Sequence, residues 1–183
     1  MRQTATHMTL FHQRLFVSGA DEVADYHAKR ITHLISVSDA GGAFPVPSWF
    51  MGKHLRLCFG DVESEADAKR LRTKAPTTED VRSAVEFFRS AWRAADSRTL
   101  VSCEYGASRS PALAYVCVAD QMGVGRESEA LELIVKIRPN AIPNRLVVQL
   151  GDMCLERDGA LLEPLRRFYS KLNEEISKWK KPG

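Results

Sequence analysis

The residues best able to do chemistry lie in one stretch, TLVSCEYGASRSPALA, over positions 99–114. Cys103 ends an apolar run, and Arg109 follows it after five intervening residues. Gly106 stands inside that interval, where a backbone can turn sharply and approach a ligand closely. Ser108 and Ser110 flank the arginine, and Pro111 opens an apolar segment. A loop that runs into a helix N-terminus aims several N–H groups into one concavity, with the positive end of the helix dipole behind them. The guanidinium of Arg109 adds a planar fork matched to two oxygens of an oxyanion. A thiol in such a field is favoured as its anion, which is the nucleophilic form. The same donors suit the equatorial oxygens of a phosphoryl group in transfer. Cys-x5-Arg by itself is a weak signal. A strand before it and a buried helix after it give it weight.

Those elements are readable. Leu15–Val17, Ile31–Val37, His54–Phe59 and the run into Cys103 have the composition of strands. Helical spacing is visible at Ala20–Arg30, Thr78–Trp92, Glu127–Ile137, Arg145–Leu155 and about 161–180. Thr77 or Thr78 fits an N-cap. The segment Ser110–Gln121 is apolar nearly all round, which predicts a central buried helix with Pro111 in its first turn. Strands alternating with helices predict a single α/β domain, with a central, mostly parallel sheet of four or five strands and helices on both faces. Its core would span about 15–155, with a turn and an amphipathic helix over 156–183. The loop from Asp39 to Gly52 is expected to cover the sheet edge or wall the cleft.

The 183 residues are 44% hydrophobic and 27% charged, with a net charge of +3. That balance suits anionic substrates in general and is too weak to indicate nucleic acid. No window has the length and apolarity of a membrane span or a signal peptide, so a cytoplasmic protein is expected. The four cysteines and five histidines form no metal-ligand spacing, and no metal or other cofactor is expected. Cys58, Cys117 and Cys154 read as packing residues, with a redox partnership to Cys103 left open.

The chain resembles the protein tyrosine and dual-specificity phosphatase superfamily, whose signature is HCxxGxxR followed by Ser or Thr. Here it reads Ser102, Cys103, Glu104, Tyr105, Gly106, Ala107, Ser108, Arg109, Ser110. LFVSGADEVAD, ITHLISVSD, APTTEDV and RPNAIPNRLVVQL are also similar to segments of that superfamily, most closely to its small bacterial members. The resemblance implies metal-independent hydrolysis of phosphomonoesters through a phosphocysteine, with the amides of Glu104, Tyr105, Gly106, Ala107, Ser108 and Arg109 holding phosphate or sulfate. It also implies a general acid on a loop after a strand. Asp61 in CFGDVES has that place, with Glu63, Glu65 and Asp67 as rivals. Ser110 would be the hydroxyl that steadies the departing thiolate. A phosphorylated protein is the first substrate class, with phosphotyrosine or dual specificity. Phosphoinositides or other phosphomonoesters come second. A phosphate-binding protein without turnover is the reading from another class. One position departs from the signature: Ser102 stands where the superfamily has His, which predicts a less strongly supported thiolate.

Overall fold

A computed structural model describes residues 9–39 and 41–179. Four strands form one parallel sheet: β1 (Leu15–Gly19), β2 (His33–Ser38), β3 (Lys53–Cys58) and β4 (Thr99–Cys103), in the spatial order β1-β4-β2-β3. Residues 9–14 are helical, and the α-helices that follow among the described residues are α1 (Glu65–Leu71), α2 (Thr78–Trp92), α3 (Arg109–Met122), α4 (Glu127–Ile137), α5 (Arg145–Cys154) and α6 (Leu162–Trp179). Among the described residues, no helix is long and apolar enough to cross a membrane. Lys180, which the periodicity includes in the last helix, lies outside the described residues.

The two faces of the sheet are covered differently. Leu15, Val17, Ile35, Val37, Val101 and Cys103 point to the face that α3 covers, where they join the buried stripe Val81, Ala84, Val85 and Phe88 of α2. Thr77 caps α2, and the side chain of Asp80 bonds back to the cap's own N–H, a reciprocal capping box. Helix α3 is buried from Arg109 to Ala119, as its unbroken apolar run predicts. Gly151 of α5 lies so close to it that an added Cβ would stand 2.4 Å from a Val116 methyl. On the opposite face Val23, Ile31, Leu34, Phe44 and Leu100 form a second, smaller core. Its cover is a 3-10 helix (Val23–Lys29) and the loop after β2, rather than the α-helix that Ala20–Arg30 suggests. Only seven residues are helical there, and Arg30 ends them in the left-handed region at φ 54°.

This asymmetry fixes where a ligand would bind. The chain leaves β1 and β2 toward the minor face, whereas it leaves β4, which lies between them, toward α3. Adjacent connections that part in this way open a crevice at the carboxyl ends of the strands. Cys103 is the last residue of β4, at the floor of that crevice.

Candidate active site

The loop between Cys103 and α3 is held by its carbonyls. Glu104 O accepts from Ala20 N, Ala107 O from Ile142 N, and Ser108 O from Asn144 N, at 3.1, 2.7 and 3.2 Å. Arg138 takes the two between: Nη2 donates to Tyr105 O and Nε to Gly106 O, at 3.3 and 3.2 Å. The carbonyls of five successive residues are thus drawn outward. All described peptides are trans. In a planar trans peptide the N–H of the next residue points opposite to the carbonyl, so the N–H groups of Tyr105 through Arg109 turn to the inner side of the loop. Gly106 makes the curve possible. Its φ is 67°, and a Cβ there would stand 2.4 Å from Gly19 N.

Cys103 and Arg109 are each 2% exposed. Ser110 Oγ lies 3.2 Å from Cys103 Sγ and donates to it. The guanidinium of Arg109 spans the carboxyl ends of three strands. Its Nη1 donates to Asp39 Oδ1 at 2.5 Å and to Phe59 O at 2.9 Å. Nη2 is 3.5 Å from Glu104 Oε2. Nε is buried and has no partner among the described residues. One end of the fork is therefore anchored, while the Nε–Nη2 edge keeps donor capacity for an oxyanion.

Asp61 is carried to this loop by the turn after β3. Its Oδ1 accepts from Ser108 Oγ at 2.7 Å and from Asn144 Nδ2 at 2.9 Å. Asn144 is 1% exposed. Its Oδ1 caps α5 by accepting from Val147 N, and its amide also donates to Val62 O at 3.1 Å. Tyr169 braces that segment from α6, donating to Pro143 O at 2.8 Å. Burial pushes the phenol up to about 12, with Glu63 and Asp61 adding to the effect, so it remains a neutral donor. The rivals of Asp61 face elsewhere. Glu63 Oε1 accepts from Arg145 N at 3.2 Å, and burial pushes its carboxyl above the usual range. Glu65 and Asp67 lie on α1, where Arg70 and Ser64 hold the Asp67 carboxyl below its ordinary value.

No family model and no curated protein sequence matches the chain, but solved structures match its fold. A mouse putative dual specificity phosphatase complexed with zinc tungstate superposes with a TM-score of 0.62 at 20% identity, covering 80% of this chain and 84% of that one. Human DUSP28 gives 0.60 and 20% identity, with 80% and 94% covered. DUSP15 gives 0.59 and 21%, with 85% and 90% covered. The fold is that of the dual-specificity phosphatases.

Within this phosphatase fold the departure at Ser102 has a structural counterpart. Ser102 and Ser18 are register partners in β4 and β1, and both are fully buried. Ser18 Oγ donates to Ser102 Oγ at 3.1 Å, and Ser102 Oγ donates to Ser18 O at 3.2 Å. The hydroxyl satisfies itself on the neighbouring strand instead of supporting the loop. Three residues that sequence reasoning missed also shape the site. Asp39 anchors Arg109, and Asn144, one residue ahead of the helical spacing that starts at Arg145, holds Asp61. Arg138 clamps the loop and is itself held by Glu22, whose Oε2 is 2.7 Å from Nη1 and accepts from Gly19 N. Burial opposes ionisation of Glu22, yet Arg138 and the Gly19 N–H outweigh it and hold its carboxyl below the usual range. A basic residue just before Pro139 was the available signal for Arg138.

For Cys58 the redox question left open by the sequence has a geometric answer. Val37 of β2 is the register partner of Cys103 on one side and of Leu57 on the other, so Cys58 lies two strands away. Two strand spacings are about 10 Å, beyond the roughly 7 Å that a disulfide spans. Cys117 is buried in α3, where desolvation drives its thiol up strongly.

Proposed function

We propose that the protein hydrolyses phosphomonoesters through a phosphocysteine. The thiolate of Cys103 attacks phosphorus in line, and the bond from phosphorus to the leaving oxygen breaks as Asp61 gives that oxygen its proton. The inward amides of Tyr105 to Arg109 and the free edge of Arg109 hold the three equatorial oxygens. Water then attacks phosphorus while Asp61 takes its proton. The sulfur leaves as thiolate, steadied by the Ser110 hydroxyl. Protein phosphotyrosine, with or without phosphoserine and phosphothreonine, is the substrate class of first choice. One observation carries the reading: every carbonyl from Glu104 to Ser108 is taken by a donor outside the loop, which leaves the amides for an anion.

The Ser102–Ser18 pairing favours a second reading, in which the same cradle binds phosphorylated partners without turnover. Hydrolysis of a small aryl phosphate by wild type, Cys103→Ser and Asp61→Asn separates the two. The enzyme reading expects activity that is absent in the first variant and falls about 100-fold in the second. Equal, negligible rates in all three, with phosphate still bound, would establish the binding protein instead.

A further inference from the structure

Beside the Cys103 crevice lies a cleft of about 190 Å³, walled by Ala20, Val37, Phe44, Pro45, Asp39 and Glu104. Small-molecule sites run from about 300 Å³ upward, so this space fits one side chain rather than a whole ligand. Its apolar walls meet two carboxylates, Asp39 and Glu104, which are 55% and 53% exposed. None of its lining residues is a lysine or arginine. The 2%-exposed Arg109 is common to both carboxylates: Asp39 is on its Nη1 and Glu104 is near its Nη2. Two negative groups thus face one positive group, and a phosphate bringing roughly two further negative charges would use the same guanidinium. The phosphate would then compete with Glu104 for Nη2, leaving that carboxylate in need of another cation. A long aliphatic stem ending in a cation satisfies both the walls and the carboxylates.

We infer that Asp39 and Glu104 select phosphopeptides that carry a lysine or arginine beside the phosphorylated residue. The stem lies against Phe44 and Pro45, and the cation takes over Glu104 as the phosphate takes Arg109. This specificity rests on the phosphatase reading above, since the cleft matters only to a phosphate seated over Cys103. It also accounts for a nucleophile loop whose first residue is an acid, which would otherwise only oppose an anionic ligand.

Phosphotyrosine peptides with lysine, norleucine or glutamate on either side of the phosphoresidue provide the test, because norleucine keeps the stem and removes the charge. Wild type should favour lysine over norleucine by about fivefold in kcat/KM and over glutamate by about twentyfold, falling as salt rises. In Glu104→Gln the lysine-to-norleucine ratio should drop below about twofold. Equal rates for the three peptides, or an undiminished ratio in both Glu104→Gln and Asp39→Asn, would overturn the inference while leaving the phosphatase reading intact. Phosphoethanolamine turned over as efficiently as the lysine peptide would overturn the assignment to a peptide side chain. Binding of the same peptides to Cys103→Ser supplies a readout without turnover. A chain that hydrolyses none of them but keeps the ranking in Kd would sink the catalytic reading and sustain the specificity. Loss of the ranking there would remove it.

Discussion

The two loops that meet at the crevice differ in what their side chains do. The loop after β4 is fixed through its main chain: Ala20, Arg138, Ile142 and Asn144 together occupy its five carbonyls. The turn after β3 is tied by its main chain, with Gly60 N donating to Lys74 O and Val62 O accepting from Asn144 Nδ2, and by its carboxylates as well. Asp61 reaches Ser108 and Asn144, and Glu63 reaches the N-terminus of α5. A loop pinned by its own carbonyls presents donors whatever its side chains are, which suits an anion cradle. A loop also pinned by a carboxylate holds that carboxylate where the proposed mechanism hands over a proton, and a single distant substitution can loosen it.

Substitutions can break this contrast, beginning with the severest. Gly106→Ala forces a Cβ toward Gly19 N in a backbone region hostile to side chains, so activity should fall about 100-fold or more, with Tm lowered by several degrees. Steady-state rates and thermal melts check it, and full activity in Gly106→Ala would mean that the main-chain curve is not what matters. Arg138→Met frees the Tyr105 and Gly106 carbonyls and leaves Glu22 unpaired, for about 2 kcal/mol of lost stability and roughly tenfold weaker binding of phosphate or vanadate. Denaturant unfolding and inhibition constants read both effects. Asn144→Ala should act differently. It removes one of the two bonds to Asp61 Oδ1 and leaves the one from Ser108 and the Arg138 clamp in place. Alkyl phosphates, whose leaving oxygen most needs a proton, should therefore slow about tenfold and nitrophenyl phosphate less. Uniform slowing across leaving groups would place Asn144 with the cradle rather than with the acid. Ser102→Ala removes both the bond to Ser18 O and the one from Ser18 Oγ, with an expected loss of about 2 kcal/mol and a rate within about threefold of wild type. A large rate loss would show that this hydroxyl supports the thiolate after all.

The same contrast explains what could be read in the chain. Cys103, Gly106, Arg109 and Ser110 are close in sequence, and the apolar runs around them forecast β4 and α3 nearly to the residue. The capping box at Thr77 and the stripe on α2 were equally local. Residues that reach the site from afar gave no such signal. Asp39 is 70 positions from Arg109, and Asn144 is 83 from Asp61. Their roles arise from strand order and from where α5 begins, not from any spacing. The 3-10 helix over Val23–Lys29 escaped for a related reason. Its pattern is helical, but it is short and ends at Arg30, so hydrogen bonding settles into the tighter form. Helix α1 was missed because it is a single polar piece between Asp61 and α2, with only Ala68 buried.

The central claim is that sulfur, not a bound water, attacks phosphorus. Rapid quenching of wild type and Asp61→Asn in acid after mixing with an aryl phosphate, followed by mass spectrometry of the peptide bearing Cys103, tests it directly. The account predicts a phosphoryl adduct on Cys103 that forms with the burst of phenol and disappears in Cys103→Ser. Turnover with no adduct on that thiol at any time, or hydrolysis that survives Cys103→Ser, would contradict it.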